Sequence, residues 1–193
     1  MPVCLNMIVK NEAGVVRRCL ESVLPYVDLW AILDTGSTDG TQQVIQEVTR
    51  GKPGLLVEGP WEGFATSRNK ALAIARGCGN PKYILFLDAD ARITFPEGFV
   101  WPEGREAYYI QHRMGDLAYY RFDLVSTEKE WEYRGEKHEA IHCLSSFTSD
   151  TLRGPVIWEA HEGARSRDPT TWQQDARDLE AALERNPRDT RAA

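Results

Sequence analysis

The stretch Tyr83-Ile-Leu-Phe-Leu-Asp-Ala-Asp90 is the most apolar run in the chain, and it stops abruptly at two carboxylates. A short, continuous apolar run that follows a Gly77–Pro81 turn signal predicts a strand buried on both faces, as in a parallel sheet. The same rhythm holds on its amino-terminal side. Val3 to Val9 reads as a first buried strand, and Glu12 to Leu24 as a helix carrying Val15, Val16, Cys19, Leu20, Val23 and Leu24 at helical spacing, closed by Pro25. Leu29 to Leu33 reads as a second strand. Val44, Ile45 and Val48 mark a second helix, with Thr38 or Asp39 as its N-cap. Leu55 to Val57 is a short third strand, and Phe64 to Ala75 an alanine-rich helix. Alternating βα units of this kind predict an α/β fold around a mixed, mostly parallel sheet flanked by helices.

Beyond Asp90 the rhythm changes. The runs Ala107 to Gln111 and Ala118 to Val125 follow each other with only a turn between them, which predicts antiparallel pairing. Pro169 to Arg185 carries apolar residues at helical spacing and ends at Asn186-Pro187. With 193 residues the chain is long enough for one well-buried core and too short for two ordinary enzyme domains. The expected organisation is one domain over 1–168, with a first half (1–90) and a second half (91–168), then a terminal helix and tail over 169–193. A net charge of −6 argues against a surface given over to nucleic acid. Cys4, Cys19, Cys78 and Cys143 show neither CxxC nor metal-ligand spacing, so they read as reduced thiols. No leader precedes the first strand, and no apolar run approaches the ~20 residues of a membrane span. A soluble, cytoplasmic protein is expected.

Asp88 and Asp90 stand at the carboxyl end of a strand, where open α/β sheets hold their ligands. Two acids there would repel a diphosphate unless a hard divalent cation lay between them, and Mg²⁺ or Mn²⁺ fits. The plainer alternative is a capped turn with a solvated Asp90. Asp34-Thr-Gly-Ser-Thr-Asp-Gly-Thr41 ends the second strand in a turn whose glycines allow close backbone approach and whose hydroxyls and amides can meet a polar ligand, Ser37 among them. Asp34 suits the imide N–H of a uracil base. Arg68-Asn69 offers a forked cation for phosphate or for Asp88, against the alternative of an exposed helical charge.

Five blocks in order, Asn6-Met-Ile-Val-Lys-Asn-Glu12, Cys19-Leu-Glu-Ser22, Asp34 to Thr41, Phe64-Ala-Thr-Ser-Arg-Asn69 and Leu85-Phe-Leu-Asp-Ala-Asp90, resemble the family 2 glycosyltransferases of the GT-A fold. The resemblance is nearest to a short bacterial and phage-type branch often followed by tetratricopeptide repeats, and Asn186-Pro-Arg-Asp189 resembles the junction where such an array begins. It implies a metal-dependent, inverting enzyme that moves a hexose or N-acetylhexosamine from a UDP-sugar to an acceptor hydroxyl on a glycan, a peptide or a modified phage DNA base. By the same resemblance 1–168 is the catalytic domain, with 1–90 its nucleotide-binding half and 91–168 its acceptor-binding half; Lys10, Asn11 and Glu12 line the nucleotide pocket and Asp34 binds the base. Asp90 and His161 hold the metal, while Asp88, next to Ala89, meets the donor sugar or ribose directly or through Arg68. Trp131 to Glu139 resembles the acceptor-side segment, so Glu139 or His138 is the expected base, with Asp123 in reserve. Arg165 and Arg167 would neutralise the leaving diphosphate or stand as solvated charges.

Two rivals belong to other classes. A nucleotidyltransferase of similar fold would want a Gly-rich, Arg/Lys-bearing loop straight after the first strand, and Lys10-Asn11-Glu12 is not one. A non-catalytic nucleotide-sugar-binding module would keep the pocket and recruit a partner through the terminal helix.

Overall fold

In the computed structural model, residues 1–135, 139–160 and 162–185 are described, apart from the side chains of residues 172, 174, 178, 182 and 185. Among the described residues, ten strands and five α-helices follow one another: β1 (Val3–Val9), α1 (Val16–Val23), β2 (Leu29–Asp34), α2 (Thr41–Val48), β3 (Gly54–Glu58), α3 (Phe64–Gly77), β4 (Tyr83–Phe86), β5 (Arg92–Thr94), β6 (Ala107–Met114), β7 (Leu117–Ser126), β8 (Trp131–Arg134), β9 (Ala140–Cys143), β10 (Ser149–Trp158), α4 (Ala164–Arg167) and α5 (Thr171–Arg185). Eight strands form one sheet in the order β3-β2-β1-β4-β7-β6-β10-β5, and β8 pairs with β9 in a separate hairpin. The first four are parallel. The antiparallel pair expected from Ala107 onward is present as β6 and β7, and β7 joins the parallel half by running antiparallel to β4.

Burial on both faces explains the apolar character of β1, β2 and β4. One core cluster lies beneath α1 and α2 and includes Val16, Leu20, Ile45, Leu5, Ile32 and Leu85. The opposite cluster lies beneath α3 and includes Leu72, Ala75, Ala31 and Ile84. Each fully buried aliphatic side chain contributes roughly 1.5–3 kcal/mol, which makes this two-sided core the main support of the strand ends described below. The exception within β1 is Asn6, buried yet satisfied, whose amide donates to Ala31 O at 3.1 Å and Ala71 O at 2.8 Å and so ties β1 to β2 and α3.

Three boundaries differ from the sequence expectation, each for a local reason. The helix expected from Glu12 begins at Val16, because Asn11 takes a left-handed φ of 57° and Glu12 O then closes a turn onto the amides of Val15 and Val16. Thr38 and Asp39 are not the formal cap of α2. Gly40 (φ 93°) precedes the helix, and the Asp39 carboxylate accepts the N–H of Thr41 from one position further back. The long strand β10, which the sequence expectation did not include, pairs parallel to β6 and is interrupted at Gly154-Pro155. The register indeed shifts between Thr151 and Val156, with Gly154 at φ 109° inside the bulge. The four thiols are free. No described helix is long and apolar enough to cross a membrane.

Candidate active site

The sheet order reverses between β2-β1 and β4-β7, and a cleft opens at the carboxyl ends of the parallel strands there, as expected for an open α/β sheet. It measures about 940 Å³, and its walls include Lys10, Asn11, Glu12, Thr35, Asp88 and Asp90. Two loops are knitted together at one rim of it. Asn11 N donates to Ser37 Oγ at 2.9 Å, and Asn11 Oδ1 accepts from Thr38 N at 2.8 Å. Glu12 N donates to Thr41 Oγ1 at 2.8 Å and Ala13 N to Asp39 Oδ2 at 3.1 Å. The left-handed Asn11 is what turns the chain so that these amides face the second loop.

Asp34 is fully buried beneath this rim. Its Oδ1 accepts the amides of Gly36 at 2.8 Å and Ser37 at 2.7 Å, and its Oδ2 is buried without a hydrogen bond. Asp34 therefore shapes the loop, and Thr35 is the neighbour that borders the cleft.

The two acids at the end of β4 have different surroundings. Asp88 lies between two arginines, with Oδ1 2.7 Å from Arg68 and Oδ2 3.5 Å from Arg121. Burial opposes its charge, but these guanidinium groups prevail and hold the carboxyl well below the usual carboxylate range. Asp90 instead accepts the Gly163 amide at 3.2 Å, and the next amide, Ala164, donates to Glu12 at 3.1 Å. A methyl group built on Gly163 would stand 3.0 Å from Asp90 Oδ2 and 3.1 Å from Glu12 Oε1, so two carboxylates converge on one residue. Burial and then the nearby charge of Asp90 push the Glu12 carboxyl up to about 7, against the hydrogen bond from Ala164.

A second polar cluster lies under the antiparallel half of the cleft. Arg121 Nε donates to Asp123 Oδ1 at 2.9 Å, while His112 stands 2.6 Å from Asp123 Oδ2 and 2.7 Å from Glu159 Oε1. Tyr119 donates its hydroxyl to the same Glu159 oxygen at 2.6 Å. Burial works against a charged His112, yet the hydrogen bonds to Asp123 and Glu159 outweigh it and raise the ring above its ordinary pKa. Tyr119, Arg121 and Glu159 all line the cleft.

Residues 4–96 match the sequence model described as glycosyl transferase family 2. The amino-terminal half of the chain is therefore similar to the glycosyl transferase family 2 proteins. Curated relatives include a TPR repeat-containing protein of Synechococcus elongatus, 40% identical over 104 residues that make up 53% of this chain and 23% of that protein. Another is the lipopolysaccharide core biosynthesis glycosyltransferase LpsC of Rhizobium meliloti, 32% identical over 94 residues, 48% of this chain and 33% of its own. The chain thus spans about a third or less of the length of these relatives. The crystal structure of S. aureus TarS 1-349 in complex with UDP-GlcNAc superposes with a TM-score of 0.56 at 12% identity, over 95% of this chain and 66% of that one. The fold is GT-A, as the sequence resemblance implied.

Within this family 2 framework the expected site residues separate into groups. Lys10, Asn11, Glu12, Asp88, Ala89, Asp90, Arg68 and Arg165 all line the cleft. Ser37 is spent on Asn11 in the loop-to-loop contact. Asn69 departs from the nucleotide role expected of it. Its amide donates to Tyr133 O at 2.9 Å and accepts from Tyr133 N at 2.7 Å, a two-point clamp that ties β8 to α3. Glu139 is placed behind Arg68, accepting from its Nε at 2.7 Å with a side chain only 10% exposed. Asp123, the reserve base, is enclosed by His112 and Arg121. Arg165 pairs with Asp175 and packs over the ring of Phe64 at 4.7 Å, and Arg167 lies near Gly14. His138 and His161 lie outside the described residues. Among the described residues, no group of three metal-ligating side chains converges.

The cluster of His112, Tyr119, Arg121 and Glu159 had no counterpart in the sequence expectation beyond Asp123. One signal was available. Tyr119, Arg121 and Asp123 alternate along a single strand, which places three polar side chains on one face, and His112 is the registered partner of Tyr119.

Proposed function

We propose that this chain is a metal-dependent, inverting glycosyltransferase that moves a hexose or N-acetylhexosamine from a UDP-sugar to an acceptor hydroxyl, with Mn²⁺ or Mg²⁺ as its cation. The observation that carries the reading is the contrast at the end of β4. Asp88 is neutralised by two arginines, while Asp90 faces Glu12 across Gly163 in the same cleft. An acid already paired with arginine is suited to hydrogen-bond donor hydroxyls. Two carboxylates forced together in a half-buried wall suit a hard cation, whose charge would offset their repulsion and bring Glu12 back into its ionised form.

Asp90, with His161 as the expected second ligand, would hold that cation, which when bound supplies charge stabilisation to the departing diphosphate. Lys10, Asn11 and Glu12 form the nucleotide end, and the buried Asp34 keeps the loop bearing Thr35 in shape for the base. Arg68 orients Asp88, and Glu139 in turn orients Arg68. We keep the acceptor base within the His138-Glu139 pair, where the commitment of Glu139 to Arg68 favours His138. The UDP-GlcNAc bound by TarS agrees with a UDP-sugar donor. The acceptor class stays as the resemblance implied it: a glycan, a peptide or a modified DNA base.

The test is to incubate the protein with several UDP-sugars and Mn²⁺ and to follow UDP release, first with water and then with glycan, peptide and modified-DNA acceptors. Release that EDTA and Asp90→Ala both abolish supports the proposal. Pyrophosphate release from a nucleoside triphosphate would instead make the chain a nucleotidyltransferase, and donor binding without turnover would make it a binding module.

A further inference from the structure

His112 is wholly buried on β6, and both ring nitrogens face carboxylates, Nε2 at 2.6 Å from Asp123 and Nδ1 at 2.7 Å from Glu159. A neutral imidazole has one donor and one acceptor, whereas an ionised carboxylate only accepts. One of the two contacts would then oppose lone pairs, unless an extra proton resides in the cluster. The ring is its place, because each acid already has another donor: Arg121 Nε on Asp123 at 2.9 Å and the Tyr119 hydroxyl on Glu159 at 2.6 Å. An array of alternating charge results, running Asp88, Arg121, Asp123, His112 and Glu159 from the end of β4 across β7 and β6 to the end of β10.

A cation buried in a sheet is a costly way to fill space. What it supplies here is a carboxylate of fixed orientation and charge on the wall of the cleft, where Glu159 stands beside Tyr119. A carboxylate next to a phenol repels phosphate but suits the hydroxyl groups of a neutral sugar, which donate to the acid and to the phenol oxygen, whose own hydrogen is held by Glu159. The position agrees with that chemistry. Glu159 lies four residues before Gly163, whose amide is 3.2 Å from Asp90, so at most about 14 Å of chain separates the two. A sugar attached to a diphosphate held at Asp90 falls within that span.

We propose that Glu159, held in orientation by His112 and Tyr119, binds hydroxyl groups of the donor's sugar ring and sets which UDP-sugar the cleft accepts. His112 is a positioning residue in this scheme. The inference rests on the UDP-sugar reading given above and assigns the part of the site that reads the sugar.

The experiment is calorimetric titration of UDP, UDP-glucose and UDP-GlcNAc, with Mn²⁺, into wild type, Glu159→Gln, Tyr119→Phe and His112→Asn. ¹⁵N NMR of the His112 ring accompanies it. UDP affinity is expected to stay within about twofold in Glu159→Gln and Tyr119→Phe. The affinity of the best-bound UDP-sugar relative to UDP should fall roughly tenfold to a hundredfold in Glu159→Gln, the range for a hydrogen bond to a charged group. His112→Asn should move the same ratio in the same direction, and the wild-type ring should show both nitrogens protonated at neutral pH. Glu159→Gln with an unchanged UDP-sugar to UDP ratio for both donors overturns the proposal, as does a neutral His112 ring. Wild-type protein that binds no UDP would overturn the donor reading itself, and this inference with it. Tyr119→Phe removes one hydroxyl from the cleft wall, so its result stands even if His112→Asn fails to fold.

Discussion

Replacing Arg68 by Met tests whether the two ion pairs behind the cleft hold it together. Arg68 is 15% exposed and bonds Asp88 and Glu139, each at 2.7 Å, with its guanidinium 5.5 Å from the centre of the Tyr133 ring. Methionine keeps much of the stem's packing and removes the charge. Two acids then lose their shared cation, although Asp88 keeps Arg121 at 3.5 Å. Breaking a buried pair costs about 3–5 kcal/mol. Asp88 is 34% exposed and partly screened by water, so the lower end applies, about 3 kcal/mol. For a chain of this size that corresponds to a fall of about 6–12 °C in Tm at neutral pH. Because arginine holds the Asp88 carboxyl below its ordinary range, its contribution is present above about pH 4 and is lost as pH falls through the depressed value. The gap between wild type and Arg68→Met should therefore be widest near pH 7 and should close in acid. Adding Glu139→Gln to Arg68→Met should restore more stability than adding Asp88→Asn, since Glu139 is only 10% exposed whereas Asp88 retains Arg121. Urea titrations at pH 7 and near pH 2 provide the measurement. A loss below about 1 kcal/mol at pH 7, or a gap that widens in acid, would refute the argument that these pairs are net stabilising.

Three further outcomes follow from the same geometry. Glu12→Gln, studied in EDTA, should flatten the decline in stability between about pH 4.5 and pH 7. With its pKa raised to about 7 the native Glu12 binds more protons than the unfolded chain in that window, so wild-type stability falls as pH rises there; identical urea midpoints for variant and wild type across the window would count against it. Asn69→Ala should lower stability by about 1–3 kcal/mol, by stranding the N–H and C=O of Tyr133, and should leave UDP affinity unchanged in a calorimetric titration. Gly154→Ala should destabilise by about 1–3 kcal/mol, read as a lower Tm, because φ is 109° there and a new Cβ would stand 2.8 Å from Pro96.

The parallel half was legible because its signals are contiguous. Each strand of β1, β2 and β4 is buried on both faces and reads as an unbroken apolar run, and each ends in the polar residues that border the cleft. Asp88, Asp90 and Glu12 could be placed at strand ends by counting along the chain. Their division of labour could not, since it depends on Arg68 from α3, Arg121 from β7 and Gly163 from beyond β10. Asn69 shows the same difficulty from the other side. Adjacent to Arg68 in sequence, it points to β8 because successive residues on a helix are about 100° apart, so one faces the cleft while the next serves the hairpin.

The cluster around His112 was illegible for a stronger physical reason. Its members come from β6, β7 and the residue just after β10, and the pairing of these strands is parallel on one side of β6 and antiparallel on the other. In sequence Tyr119, Arg121 and Asp123 look like the solvent face of a half-buried strand, because period-two polarity cannot distinguish water from a cleft. The register shift between β6 and β7 at Tyr108/Tyr109 leaves Asp123 without a strand partner and brings its carboxylate to His112. One inserted residue thus sets Asp123, the end of an exposed-looking stripe, against a buried histidine. Periodicity locates the acids at the strand ends because backbone direction alone places strand termini, whereas the His112 cluster depends on a bulge, whose effect exists only once the partner strand is known.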